Sequence, residues 1–123
     1  MSLKKEILQM DEAGRNFARV VRAGDFLFVA GTTGQDVEGA RGNVEIQARR
    51  IFEKVGALLE HHASSLEHVL SMTTYLVDFG DLPRVSAVRN QFMRSAAAGT
   101  VVQVSKLDGY ALVEIEFMAL AKK

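Results

Sequence analysis

Between Asn43 and Glu60 apolar residues recur at Val44, Ala48, Ile51, Val55, Leu58 and Leu59, with Phe52 at the edge of the row. That spacing is helical and gives one buried stripe. Arg49, Arg50, Glu53, Lys54 and Glu60 fall largely outside it. A helix with a single stripe must lay it on one other surface, and the remaining segments have to supply that surface. Asn43 is placed to cap the start. The helix is expected to end near Ala63-Ser64-Ser65, after about 19 residues or roughly 28 Å.

A second, shorter helix is expected after Asp81, its candidate cap. Pro83 sits in the first turn, where a missing N–H costs nothing, and Leu82, Val85, Val88 and Phe92 make its stripe. Everything else reads as strand or turn. Ile7 and Leu8 begin a short edge strand. Phe17 to Arg22 and Phe26 to Ala30 form a hairpin about Gly24-Asp25, and Gly31-Thr32-Thr33-Gly34 breaks the second of these strands. Gln35 to Gly42 is an exposed loop. Val69 to Val77, rich in β-branched and apolar residues, is a central strand. Thr100 to Ser105 and Val113 to Ala121 are two more strands, with a turn signal at Asp108-Gly109 between them. The order β-β-β-α-β-α-β-β predicts an α+β fold in which two helices pack on one face of a six-stranded mixed sheet. The other face stays uncovered. A sheet rich in Val, Ile, Phe and Met does not stay wet on that face, and homo-oligomerisation through it is the simplest remedy.

The chain of 123 residues is read as one domain, residues 1–123. That length builds one core but does not easily wrap a deep pocket as well, so any cleft is shallow or completed by a partner subunit. Fifteen Lys and Arg balance fifteen Asp and Glu, which argues against nucleic acid and against an anionic membrane as partners. There is no cysteine, hence no disulfide, thiolate nucleophile or thiolate metal site. That composition fits a cytoplasmic protein. Met1 to Met10 lacks the unbroken apolar run of a signal peptide, and no stretch approaches the roughly 20 apolar residues of a membrane span.

Several residues carry candidate chemistry. Glu114 and Glu116, two apart on the last strand, share one face, while Val113, Ile115 and Phe117 point to the core. Paired carboxylates can do acid–base work. A glycosidase reading fails because nothing resembles an aromatic sugar cleft. His61 and His62 are adjacent and diverge on a helix, so with His68 they read as structural, and no metal is expected. Gly31 to Gly34 lacks the Lys-Ser/Thr ending of a nucleotide loop, although its amides can hold a small anion. Ser71, Thr73, Thr74 and Ser86 have no histidine placed by a recognisable motif to activate them. Arg19 and Arg22 are read on one strand face, either able to bind a carboxylate bidentately.

The chain resembles the RidA/YjgF family of reactive intermediate deaminases. The resemblance runs from Phe17 to Ala121 and is strongest over Val21-Arg22-Ala23-Gly24-Asp25-Phe26-Leu27-Phe28-Val29-Ala30-Gly31, Thr74-Tyr75-Leu76-Val77-Asp78 and Val102-Gln103-Val104-Ser105-Lys106-Leu107. Leu112-Val113-Glu114-Ile115-Glu116 is similar to the family's closing signature. The resemblance implies a chorismate-mutase-like homotrimer whose sheets pack into a central barrel, with clefts between subunits. It implies hydrolysis of enamines and imines without metal or organic cofactor. A glutamate, matching Glu114, positions the attacking water.

Other cleft positions depart from the family pattern. The arginine that grips the substrate carboxylate matches Gly99. The usual tyrosine matches Phe17, the serine before Gly31 is Ala30, and the asparagine of the second helix matches Ser86. Losing a charge-assisted contact typically removes about 1.5–3 kcal/mol of binding. The chain therefore resembles the arginine-lacking branches, which often read Ser-Gly-Thr-Thr where Ala30-Gly31-Thr32-Thr33 stands and carry an arginine at the position of Arg19. The expectation is a homotrimer binding a small carboxylated or carbonyl metabolite. Glu114 acts on water and Arg19, or Arg94, replaces the missing cation. Gly31, Thr32 and Thr100 line the cleft. The alternative is a non-catalytic ligand-sensing or protein-interaction trimer. A ribonuclease reading is disfavoured by the balanced charge and by only two tyrosines with no tryptophan.

Overall fold

A computed structural model describes residues 3–121. Six strands and two α-helices alternate as β1 (Lys5–Met10), β2 (Ala18–Ala23), β3 (Phe26–Thr33), α1 (Val44–His61), β4 (Val69–Leu76), α2 (Leu82–Phe92), β5 (Ala98–Gln103) and β6 (Val113–Leu120). The sheet order is β1-β2-β3-β6-β4-β5. Only the β4–β5 pair is parallel, bridged by α2, and the other pairs are antiparallel. The sheet is therefore mixed, and β6 is threaded between β3 and β4.

Both helices lie on one face. The Asn43 side chain accepts from the Ile46 amide and caps α1, and Ala63 takes the left-handed turn after it. The stripe of α1 meets Val20, Leu27, Val29, Ile115 and Phe117 in a single core. Phe52, placed by spacing at the stripe's edge, is fully buried. Its ring stacks on Phe92 of α2 at 5.6 Å and meets Phe117 edge-on at 6.0 Å. Gln47 is also fully buried. It donates to the carbonyls of Ala40 and Tyr110 and accepts from the Leu112 amide at 2.7 Å, fastening two loops to α1.

The face away from the helices carries Phe26, Phe28, Met118 and Leu120. The two phenylalanines are 41% exposed. Contiguous exposed apolar patches on globular domains commonly coincide with interaction sites. No helix among the described residues is long and apolar enough to cross a membrane.

Most strand ends shift by a residue or two from the sequence reading, and two of the differences bear on the site. β3 does not end at Gly31. A bulge between Val29 and Thr32 lets it continue to Thr33, opposite Glu114. β5 begins at Ala98 and not at Thr100, because parallel pairing with Ser71 starts there. Gly34 then packs so tightly on the Gln47 carbonyl that no side chain fits, which makes it a packing glycine and not part of an anion cradle.

Candidate functional site

β6 alternates cleanly. Val113, Ile115, Phe117 and Ala119 enter the core, and Glu114, Glu116, Met118 and Leu120 face the open side. The two glutamates have different surroundings. Glu116 is exposed and accepts from the Tyr75 hydroxyl at 2.5 Å. That bond raises the tyrosine pKa, with burial and the charges of Glu116 and Glu114 adding to it. Glu114 is half-buried, set between Thr33 on β3 and Tyr75 on β4. Among the described residues no group donates a hydrogen bond to its carboxylate. Gly31 lies directly beside it: a Cβ there would overlap Oε2 and stand 3.0 Å from Cδ. The bulge and the missing side chain together leave the space the carboxylate occupies.

Arg19 reaches the same bulge. β2 and β3 stay paired only as far as Val20 and Val29. Beyond that point one terminal nitrogen of Arg19 donates to the Gly31 carbonyl at 3.1 Å. The other donates to Thr32 Oγ1 at 2.6 Å and to the Ala30 carbonyl at 3.5 Å. Thr32 Oγ1 donates onward to the Ala30 carbonyl. Burial lowers the Arg19 pKa, against the opposing pull of Asp11 and Glu114. Its guanidinium braces the segment beneath Glu114, and much of its donor capacity is already spent. Arg22 does not share its face: three residues apart on a strand are on opposite sides, and Arg22 donates instead to the Gly24 carbonyl at 2.8 Å. Phe17 lies just before β2, exposed, with Arg15 over its ring at 4.9 Å.

Gly99 and Thr100 belong to a second group. They lie on β5, paired with Met72 and Thr73, and β4 separates them from β6, about 10 Å across two strand spacings. Both line a cavity of about 450 Å³ between β5 and the C-terminal end of α2, together with Arg89, Asn90, Met93 and Arg94. Ser86 sits about one turn earlier on α2 and does not line it. One subunit thus brings Arg19 and Thr32 together on the α1 side of the bulge, beside Lys54, Val55 and Leu58, sets Glu114 next to Gly31 on the open side, and places Gly99, Thr100 and Arg94 at a separate cavity. Tyr75, Arg89 and Asn90 were not singled out by the sequence. Tyr75 carries a signal in the strand alternation, which puts it on the face of Glu114. Arg89 and Asn90 read only as the polar side of a short helix.

The histidines are engaged structurally. His61 and His62 rings meet edge-on at 4.9 Å, His62 contacts Gln9 Oε1 at 3.2 Å, and His68 Nδ1 is 2.7 Å from Ser65 Oγ.

A family model described as endoribonuclease L-PSP matches residues 9–121. The crystal structure of RidA from an Antarctic Psychrobacter superimposes with a TM-score of 0.82 at 26% identity, covering 94% of this chain and 98% of that one. The chain belongs to the RidA/YjgF family. A RutC family protein of Pyrococcus abyssi is 30% identical over 124 residues, which is 95% of this chain and 98% of that protein. Another relative, at 26% identity over 81% of each chain, is the 2-iminobutanoate/2-iminopropanoate deaminase of Dermatophagoides farinae. Within this RidA/YjgF chain glutamate stands at position 114 and glycine at position 99.

Proposed function

We propose that the protein is a cytoplasmic homotrimer. It binds a small carboxylated or carbonyl metabolite in clefts between subunits and hydrolyses an enamine or imine to the carbonyl compound and ammonia. The observation that carries the reading is Glu114: a half-buried carboxylate with no hydrogen-bond donor among the described residues, held beside Gly31 at the rim of an apolar exposed face. Such a group holds water. In the reaction it accepts a proton from that water while the oxygen attacks the imine carbon and the C=N electron pair moves to nitrogen. The nitrogen takes the proton back from Glu114 to give the carbinolamine; the amine is then protonated as the hydroxyl gives up its proton, the C=O bond forms, the C–N bond breaks and ammonia leaves. A general base in this position is worth about 10²–10⁴-fold in rate. The separation of the two residue groups on one subunit supports assembly. A neighbour packed on the apolar row of Phe26, Phe28 and Leu120 can bring its own β5 edge toward Glu114.

The test is ammonia release from imines generated in place by an amino-acid-oxidising enzyme, with sedimentation to count subunits. Glu114→Gln should lose at least about a hundredfold in rate. Unchanged turnover in that variant, or a monomer at working concentration, would defeat the proposal.

A second reading has its own support. Without an arginine at Gly99 the chain lacks the usual carboxylate grip, which favours a trimer that senses a ligand and does not turn it over. Thermal stabilisation by a carboxylated metabolite with no ammonia from any imine would support this reading over the first. The backbone at Gly99 leaves room for a side chain, its nearest neighbour to a Cβ being the Met72 carbonyl at 3.8 Å. Gly99→Arg therefore asks directly whether a restored cation confers turnover.

A further inference from the structure

The cavity between α2 and β5 has an unusual lining for a chain whose charges cancel. Arg89 and Arg94 both border it, with Asn90, Thr74, Ser95 and Thr100 offering further polar groups. Among the described residues no aspartate or glutamate lines it. The Arg94 guanidinium makes no hydrogen bond or ion pair among the described residues. Its backbone amide, in contrast, is fixed by Glu67 Oε1 at 3.2 Å. The Arg89 guanidinium has only two long contacts, both of 3.4 Å, to the Asn90 side chain. These two cations are therefore nearly uncommitted, whereas Arg19 is already committed to the bulge. Apolar lining comes from Met72, Met93, Ala97 and Val101. The volume of about 450 Å³ is well within the usual range for small-molecule sites. A carboxylate of three carbons would leave much of it unfilled.

We infer that this cavity is the subsite for the ligand's carboxylate, gripped by Arg94 and Arg89 from the side of α2. The apolar lining then selects a ligand with a sizeable hydrophobic tail. The absence of a side chain at Gly99 is what opens room for that tail. The inference rests on the functional reading for the ligand being a carboxylated metabolite, but not on any turnover at Glu114. Arg94 and Arg89 act here as binding residues, and the apolar lining determines specificity.

The test is a methyl NMR titration of the full chain with 2-oxobutanoate, 2-oxo-4-methylpentanoate and inorganic phosphate. Met72 and Met93 report on the cavity, and Met10 and Met118 lie elsewhere. The Met72 and Met93 signals should move saturably with both oxo acids, with the branched one binding more tightly. Arg94→Ala should weaken binding about tenfold or more, as expected for loss of a charge-assisted contact. Arg89→Ala/Arg94→Ala should abolish it in a protein whose other methyl signals are unchanged. Absent shifts at Met72 and Met93, phosphate binding as tightly as the branched oxo acid, or retained affinity in the double variant would each overturn the inference. Binding without imine hydrolysis would count only against catalysis. Hydrolysis without binding at these methyls would count only against this subsite.

Discussion

Replacing Gly31 with alanine tests whether the placement of Glu114 matters, separately from its charge. The new methyl would overlap Oε2 and lie 3.0 Å from Cδ and 3.3 Å from Cγ of Glu114. Carbon atoms in contact prefer about 3.5–4.0 Å, so the carboxylate has to retreat by about 1 Å. It is half-buried at the end of a flexible side chain, which keeps the structural cost near the low end for overpacking, about 1 kcal/mol. For a domain of this size that is a fall in Tm of about 4 °C. Catalysis should suffer far more, because a misplacement of about 1 Å can cost a hundredfold in rate. Ammonia release and thermal melting on the same preparation separate the two effects. A Gly31→Ala variant with parental turnover, in a protein that loses activity as Glu114→Gln, would refute the claim that the glycine exists to seat the carboxylate.

Two other perturbations follow from contacts described above. Gln47→Ala strands the Leu112 amide and two carbonyls around a buried site and should cost about 3 kcal/mol in urea unfolding; a loss below about 1 kcal/mol would show that water satisfies those groups. His62 has a pKa lowered from 6.5, first by burial and then by neighbouring His61. The unfolded chain then binds the proton more readily than the folded one, so stability should fall as pH drops below 6.5. Tm measured against pH should show this decline, and His62→Gln should flatten it.

Much of the fold was legible because its signals are local. The stripe of α1, the Asn43 cap and the alternation along residues 113–119 each act within a few residues, and each appears in the structure as read. The insertion of β6 between β3 and β4 was not legible, since strand order is settled by long-range pairing. Continuation of β3 past Gly31 depends on a partner strand and a bulge. A run of glycine and threonine read alone looks like a stop. Glu114 could be found because it sits in an alternating strand beside a matching signature. The contacts of Arg19 could not, because its partners are two main-chain carbonyls and the Thr32 hydroxyl, eleven to thirteen residues away across a bulge that has no sequence signature. The α2–β5 cavity is made by a chain crossing, so Arg89 and Arg94 become neighbours of Thr100 only after folding.

The place of β6 also sets an order of events. It pairs with β3 on one side and β4 on the other, yet both of those strands are synthesised before it. Until residues 113–120 emerge, the nascent chain has two unsatisfied strand edges and half a core. Exposed edges of this kind recruit other chains, and closure through distant pairing is slow. The strand that carries Glu114 is thus also the strand that closes the sheet. A chain that fails to insert this strand is still an open sheet, exposed to aggregation and quality control before any site on the strand exists.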